Sequence, residues 1–280
     1  MTPDTIPAGF IRLTEQAVLG LRGADRLRFL NGQVTNDIRL VEGDTCIPTA
    51  VLDAKGRLEA VCHVRDIDGS YLIDAPASLE DPLAARLDRY LIADDVEITK
   101  ETSNWHLIHV LGTEPPPLTN SLAFPVNRFG VTGTDLWSRS PIEPDLEELD
   151  SARIEALRIG NGVPSWPAEL HPGIFPAEAG LDATAVSFDK GCYLGQEVVS
   201  RMKRAGKTNQ HLVHASVPGG TTPGSILMHE QQEAGTITSV SPRARSDGRH
   251  TAIAYRRRKF EDTNSLKSDT GPVEVLRRLS

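Results

Sequence analysis

At 280 residues the chain is long enough for two or three packed units, and 39% hydrophobic with 24% charged residues is typical of a globular protein. The net charge of −8 argues against a general nucleic-acid coat, although a local basic patch is compatible with it, and no run of about 18 apolar residues is present to span a membrane. Three scattered cysteines without a Cys-x-x-Cys pair indicate a reducing compartment, with the cytoplasm as the expected location, and no thiolate metal site.

The first part of the chain predicts a strand, a helix and a polar loop. Residues 1–11 lack the charged-then-apolar order of a signal peptide, so none is expected. Residues 17–23 predict a short strand, and a helix is expected to follow it. The loop at residues 31–37 either ends that helix or binds a ligand, and the residues alone favour neither. Its side chains suited to hydrogen-bond a ligand are Thr35, Asn36 and Asp37.

Strands and helices continue without a regular alternation. Residues 45–52 and 57–65 predict two strands joined by a tight turn, and the alternation in the second strand places Cys62 on a buried face. Leucines at every fourth position over residues 79–91 predict a helix with one apolar stripe. This irregular mixture favours an α+β fold over a doubly wound sheet.

The second half predicts a helix and then a small β domain. A helix is expected from Asp145 to about Arg158. Short strands divided by Pro-Gly turns then indicate an antiparallel barrel or sandwich, so we predict one region over residues 1–206 and a second over 207–280. The basic run at residues 256–259 is interpreted as a solvated strand end. A lone carboxylate such as Glu178 is also expected to be solvated.

Residues 189–201 bring an unusual set of side chains together. Cys192 lies close in sequence to the cations Lys190 and Arg201, which favour the reactive thiolate form. The other polar side chains are Tyr193, Gln196 and Glu197, and the glycines that bracket the thiol are Gly191 and Gly195. Two interpretations stay open on these residues alone: a turn with a packed, inert thiol, and a reactive site.

Residues 190–197, read as K-G-C-Y-L-G-Q-E, resemble the K-G-C-Y-x-G-Q-E signature of the YgfZ family. Further stretches that resemble this family lie at residues 29–37, 53–57, 158–164 and 235–239. The resemblance implies an α+β fold with an aminomethyltransferase-like folate-binding core, a ferredoxin-like insertion and a C-terminal antiparallel β-barrel. It further implies that the protein binds tetrahydrofolate or a derivative and serves iron-sulfur client proteins, including tRNA-modifying ones. No membrane contact and no direct nucleic-acid binding are expected.

The resemblance also implies residue roles. Cys192 would be the functional thiol, supported by Lys190, Tyr193, Gln196, Glu197 and Arg201. Residues 176–181 resemble the aminomethyltransferase segment whose glutamate binds the pterin, and this replaces the expectation of a solvated Glu178. One carboxylate can accept two N–H bonds side by side, as a pterin edge offers them. Further expected folate-binding residues are Thr35, Asn36 and Asp37. Gly191 and Gly195 are expected to be structural, and no metal ligands are expected.

One departure from the aminomethyltransferases bears on the reaction. Ala60 and Val61 take the place of the acidic pair that those enzymes carry, so a conventional turnover enzyme is not expected. The alternative function is a tetrahydrofolate-dependent aminomethyltransferase or demethylase acting on a small amine. A third alternative is an interaction module with an inert thiol. The sequence leaves open whether Cys192 meets a cluster, a partner thiol or a one-carbon unit.

Overall fold

The computed structural model describes residues 6–263 and 265–280. The first five residues of the segment interpreted as lacking a signal peptide therefore lie outside the described residues. Two compact units are present, one formed by Met1–Leu149 with Thr184–Gln196 and the other by Asp150–Ala183 with Glu197–Ser280. This division differs from the predicted boundary at residue 206, because residues 150–183 pack with the barrel and not with the segment that precedes them.

The first unit is built from two antiparallel sheets and two short helices. In chain order its elements are β1 (Gly9–Arg12), β2 (Gln16–Arg22), α1 (Arg26–Gln33), β3 (Ile47–Leu52), β4 (Leu58–Ile67), β5 (Ser70–Pro76), α2 (Glu80–Asp88), β6 (Glu97–Lys100), β7 (His106–Leu111), β8 (Ser121–Val126) and β9 (Gly133–Ser138). One sheet has the strand order β3-β4-β5-β2-β6, and the other has the order β1-β7-β9-β8. The predicted α+β class is confirmed.

The predicted hairpin and leucine stripe are both present. Thr49 on β3 pairs with Cys62 on β4, and Cys62 is buried as the alternation predicts. Leu83 and Leu87 on α2 are buried, as is Leu79 in the turn before it. The hydrophobic periods of the sequence therefore locate the inner faces of these elements.

A buried ionic network joins the facing sheets of the first unit. Arg65 on β4 pairs with Asp74 on β5 and, at 3.2 Å, with Asp135 on β9. Arg128 bonds both carboxylates, with its Nη2 2.8 Å from Asp74 Oδ2 and its Nε 2.8 Å from Asp135 Oδ1. His109 Nδ1 lies 2.9 Å from Asp135 Oδ1. Two cations and two carboxylates thus compensate one another away from water.

The network lies beside an apolar cluster. The Arg65 guanidinium stacks over the ring of Trp137 at 4.1 Å and lies 5.1 Å from the ring centre of Phe124. Both rings belong to the cluster that the two sheets bury between them. Packing and ion pairing therefore act at the same place, where side chains have little freedom to rearrange.

The second unit holds two helices and a barrel. Its elements are α3 (Ser151–Asn161), α4 (Gln196–Ala205, whose first residue belongs to the first unit), β10 (Gln210–Val217), β11 (Ile226–His229), β12 (Gln232–Ala244), β13 (His250–Arg257), β14 (Leu266–Ser268) and β15 (Gly271–Arg278). The six strands close in the order β10-β13-β12-β11-β14-β15, which confirms the predicted barrel. The strands β14 and β15 were not anticipated from the sequence.

The start of α3 corrects the expected helix at residues 145–158. The helix begins at Ser151, where Asp150 caps it by accepting the N–H of Arg153. The preceding residues are extended, because the Phe10 N–H donates to Glu147 O at 2.9 Å and the Leu149 N–H donates to Phe10 O at 2.8 Å. Pairing with β1 overrides the local helix preference of this acidic segment.

Arg158 on α3 attaches the helix to β12. Its guanidinium lies 3.2 Å from the buried carboxylate of Glu169 and donates to the Ser239 hydroxyl at 2.9 Å. Ser239 in turn donates to Glu169 at 2.6 Å. This closed set of bonds compensates a buried cation, as in the first unit. None of the helices in the described part of the chain has the length and apolar character needed to cross a bilayer.

The buried network predicts a large effect of removing one charge. Asp135→Asn leaves two buried guanidinium groups with a single carboxylate, and we expect a loss of about 3–5 kcal/mol in the free energy of unfolding by chemical denaturation. The control Asp81→Asn removes an exposed partner of Lys100 and should cost under about 1 kcal/mol.

The same network predicts an acid dependence. Burial alone raises the pKa of Asp135, but the charge of Arg128 and the hydrogen bond from His109 hold that pKa well below its usual value. The unfolded carboxyl titrates near pKa ~3.9, so the stabilisation is present above that pH and is lost as the pH falls toward the folded pKa. The wild type should therefore lose more stability than Asp135→Asn on acidification below about pH 4. Equal losses would contradict this assignment.

Candidate functional site

The signature segment forms a loop of the first unit that leads into α4. Gly195 has φ +85°, and a Cβ at this position would lie 2.7 Å from Asp53 O and 3.0 Å from Gly56 Cα. The loop therefore passes so close to the β3–β4 turn that only glycine fits. No atom lies within 4 Å of the place a Cβ would take at Gly191, so packing does not require glycine there.

Lys190 anchors this loop to the end of α1. Its ammonium donates to the backbone carbonyls of Asn31 at 2.6 Å, Val34 at 2.8 Å and Asn36 at 2.6 Å. These carbonyls lie at or just beyond the carboxyl end of the helix, where carbonyls lack intrahelical partners and the helix dipole favours a cation. Only 5% of Lys190 is exposed. Three donors meet three acceptors, so Lys190 positions the loop.

The burial of Lys190 has an electrostatic consequence. Loss of water lowers the pKa of its ammonium to about 8, although the charge of Asp37 opposes this change. The carboxylate of Asp37 is in turn held by Arg39, whose Nε and Nη2 donate to it at 2.8 and 2.6 Å. The hydrogen bond from Arg39 lowers the pKa of Asp37 against the effect of burial.

Cys192 is the exposed thiol among the three cysteines. Burial raises the pKa of Cys46 to about 12 despite the charge of Arg65, and burial also raises the pKa of Cys62. These two thiols are therefore protonated at neutral pH, and neither is as exposed as Cys192. The structure leaves Cys192 as the accessible thiol.

Tyr193 lies next to the thiol but points inward. It is 7% exposed, its ring lies 5.3 Å from the Lys190 ammonium, and burial raises the pKa of its phenol to about 12. The buried Oη has no hydrogen-bond partner among the described residues. An unpaired hydroxyl of this kind is costly, and a bound group that accepts its proton would remove the cost.

The predicted ligand-binding loop is held by internal hydrogen bonds. The Thr35 hydroxyl donates to Ala185 O at 2.6 Å and accepts the Ala50 N–H at 2.9 Å. The Asn36 amide donates to Pro48 O at 2.8 Å. Thr35 is fully buried. These groups fix the loop against β3, and a direct contact with folate stays a prediction for them.

The remaining signature residues continue into α4. Gln196 donates from Nε2 to Gly191 O at 3.4 Å, which closes the loop around Cys192. Glu197 and Arg201 belong to the second unit and lie one helical turn apart, both exposed. Neither forms an ion pair within the described residues. Both charged side chains are therefore accessible to another molecule.

Glu178 corrects the expectation of a solvated carboxylate. It ends a short 3-10 turn in the second unit and is only 5% exposed. Its Oε2 accepts the Phe175 N–H at 3.1 Å, and its backbone carbonyl accepts the Ser280 hydroxyl at 2.8 Å. The carboxylate is therefore buried and hydrogen-bonded within the protein.

Sequence reasoning missed the anchoring role of Lys190, whose acceptors lie more than 150 residues earlier in the chain. It also missed the ionic network around Arg65, because strand alternation puts Arg65 on the face opposite Cys62, and only the structure shows that this side chain is buried as well. No group of three or more His, Cys, Asp or Glu side chains in the described part is arranged to hold a metal ion.

The chain is similar in sequence to curated proteins that share one name. No protein-family model matches the chain. The tRNA-modifying protein YgfZ of Escherichia coli O157:H7 is 30% identical over 235 residues, covering 74% of this chain and 71% of that protein. The protein of the same name from Sodalis glossinidius is 29% identical over 233 residues, with the same coverage of 74% and 71%.

A solved structure resembles the fold. The glycine cleavage system aminomethyltransferase T from Bartonella henselae aligns with a TM-score of 0.77 over 96% of this chain and 85% of that one, at 14% sequence identity. At this identity the likeness shows the fold alone. The predicted aminomethyltransferase-like architecture is confirmed.

The anchor at Lys190 predicts a local loss of order on substitution. Lys190→Met leaves three backbone carbonyls without their donor, and we expect a loss of about 2–3 kcal/mol in the free energy of unfolding. Amide hydrogen exchange should accelerate at Leu194 and Ser187, whose N–H groups donate to Gly32 O and Thr35 O. The exposed Lys55→Met is the matched control and should leave both amides protected. Unchanged exchange in Lys190→Met would show that the loop holds its place without the anchor.

Proposed function

The chain belongs to the YgfZ family, and from that membership we propose that it is a folate-binding accessory protein. In this proposal it supports the assembly or repair of iron-sulfur enzymes, including enzymes that modify tRNA, from a cytoplasmic location. Two relatives carry the name of tRNA-modifying proteins, which supports the link to tRNA modification.

The exposure of the Cys192 thiol is the observation on which the proposal rests. The thiol is exposed, while its sequence neighbours Lys190 and Tyr193 are buried. A rigid loop with one accessible thiol suits contact with a partner protein, because little conformational entropy is lost when the partner binds. Glu197 and Arg201, both exposed on α4, would be available for charged contacts with a client.

The folate contacts in this proposal come from the family resemblance, residue by residue. Glu178 is a buried carboxylate, and a carboxylate can accept from the adjacent N–H and NH2 groups of a pterin. The orphaned Tyr193 hydroxyl would donate to a bound acceptor. Thr35, Asn36 and Asp37 would contribute through the loop that they hold. When bound, tetrahydrofolate would supply a carrier for one-carbon groups.

A transferase that acts on a small amine is the less favoured alternative. The place of the acidic pair holds Ala60 and Val61 on β4, and Ala60 is buried. The neighbouring carboxylate, Glu59, is ion-paired to Arg86 at 2.6 Å. This ion pair engages the Glu59 carboxylate with a partner inside the protein.

Removal of the thiol tests the working site. We expect Cys192→Ala to fold normally but to lose most of its ability to restore iron-sulfur enzyme activity in a strain lacking the gene, measured by tRNA thiomethylation. Cys46→Ala is the control and should restore activity, since Cys46 is half-buried and protonated. Full restoration of activity by Cys192→Ala would contradict the role assigned to the thiol but would not bear on folate binding.

Folate binding is tested by calorimetric titration with tetrahydrofolate. We expect saturable binding to the wild type and at least about tenfold weaker binding to Glu178→Gln, because the amide replaces a charged acceptor. Glu274→Gln, on an exposed barrel position, should bind as the wild type does. No heat at high micromolar ligand would contradict the folate assignment.

A further inference from the structure

One end of the barrel carries two arginines and a histidine on its inner face. Arg256 on β13 lies directly opposite His211 on β10, one step beyond the inward pair of Val213 and Ala254. Arg278 on β15 pairs with Val213 from the other side of β10. Three neighbouring strands therefore direct Arg256, His211 and Arg278 toward one mouth of the barrel.

Arg256 is buried without an ionic partner. It is 6% exposed, which contradicts the interpretation of residues 256–259 as a solvated strand end at this position. Its Nε donates to His211 Nε2 at 3.3 Å, and its Nη1 donates to Thr263 O at 3.4 Å. Both acceptors are neutral. Within the described residues no carboxylate lies in ion-pair distance of this guanidinium, and Nη2 has no hydrogen-bond partner.

Other buried arginines of this protein are paired with carboxylates, and within the described part of the chain Arg256 is not. Arg65 and Arg158 each bond buried carboxylates. Arg256 has no such ion pair among the described residues; burial lowers its pKa and Arg278 lowers it further, while the charges of Glu261 and Asp262 oppose the change. Burial and the same two arginines lower the pKa of His211 to about 4, so this imidazole is neutral and accepts the Arg256 proton. A buried cation of this kind is costly unless an anion joins it.

The surroundings favour an anion. Residues 197–280 carry 14 Lys and Arg against eight Asp and Glu, in a chain whose net charge is −8. The next side chains of the basic run, at 257–259, are exposed beside the cluster, and Arg278 is exposed as well. Gly235 lies opposite Arg256 on β12, where a Cβ would collide with Tyr255 O at 2.0 Å. The glycine lets the backbone of β12 approach that of β13 closely at this end of the barrel.

We propose that this end of the barrel, formed by Arg256, Arg278 and His211, is a binding site for a phosphate group. The planar guanidinium of Arg256 would donate to two phosphate oxygens, and Arg278 would add a second charge. Inorganic phosphate or a phosphate monoester would bind in the mouth alone, whereas an RNA backbone would also cross the exposed basic residues. The site stands independently of the folate and thiol assignments.

Thermal unfolding with inorganic phosphate tests the site. The wild type and the control Arg257→Met should gain a few degrees in midpoint on addition of phosphate, while Arg256→Met should gain nothing. In phosphate-free buffer Arg256→Met should be at least as stable as the wild type, because an uncompensated buried charge is removed. A loss of stability in that buffer together with no phosphate effect on the wild type would show that Arg256 is structural only.

A second variant keeps the test decisive if Arg256→Met fails to fold. Arg278→Gln changes an exposed member of the cluster and should weaken phosphate binding about tenfold in calorimetry. Phosphate affinity equal to that of the wild type in Arg278→Gln would overturn the proposal.

A labelled single-stranded RNA distinguishes the sources of the phosphate. If RNA is the ligand, anisotropy should show binding at least about tenfold tighter than inorganic phosphate, lost in Arg256→Met and weakened with a smaller salt slope in Arg257→Met. Binding no tighter than that of inorganic phosphate, lost only in Arg256→Met, would identify a small phosphate ligand. RNA binding that is unchanged in Arg256→Met, with no phosphate effect, would overturn the site. The RNA measurement also tests the expectation of no direct nucleic-acid binding.

Discussion

The three hydrogen bonds of the Lys190 ammonium group hold the signature loop in place. Lys190 satisfies three carbonyls at the exit of α1, and this attaches residues 189–196 to a helix end more than 150 positions earlier. The close approach at Gly195 fixes the other end of the loop against the β3–β4 turn. Between these two attachments Cys192 is exposed and Tyr193 is buried. The accessibility of the thiol follows from constraints on its neighbours.

Burial of charge is the second theme of the structure. In the first unit the guanidinium groups of Arg65 and Arg128 share two carboxylates. In the second unit Arg158 is ion-paired with Glu169 and hydrogen-bonded to Ser239. These sets give the sheets and the helix fixed positions, because each charge is stable only with its partners in place. Arg256 departs from this rule, and that departure is what marks it as a binding group rather than a structural one.

Much of the fold was predictable from hydrophobic periods. The alternation around Cys62 and the leucine stripe of α2 located buried faces, and the Pro-Gly turns after residue 206 indicated the barrel. The start of α3 was not predictable in this way. The segment at 145–149 has helical composition, but its backbone pairs with Phe10, and such a long-range bond leaves no local pattern.

The sequence by itself determined the signature, and with it the family and the presence of a thiol beside two cations. The aminomethyltransferase-like fold followed from that resemblance and is borne out. Only the tertiary structure decided what each group does. Lys190 looked like an activator of Cys192 and is an anchor, and Arg256 looked like a surface charge and lies inside the barrel mouth. Glu178 looked solvated from its neighbours alone and is buried. The reason is physical. Whether a charged side chain is buried and paired depends on its access to water and on partners distant in the chain, and the residues next to it in sequence reveal neither.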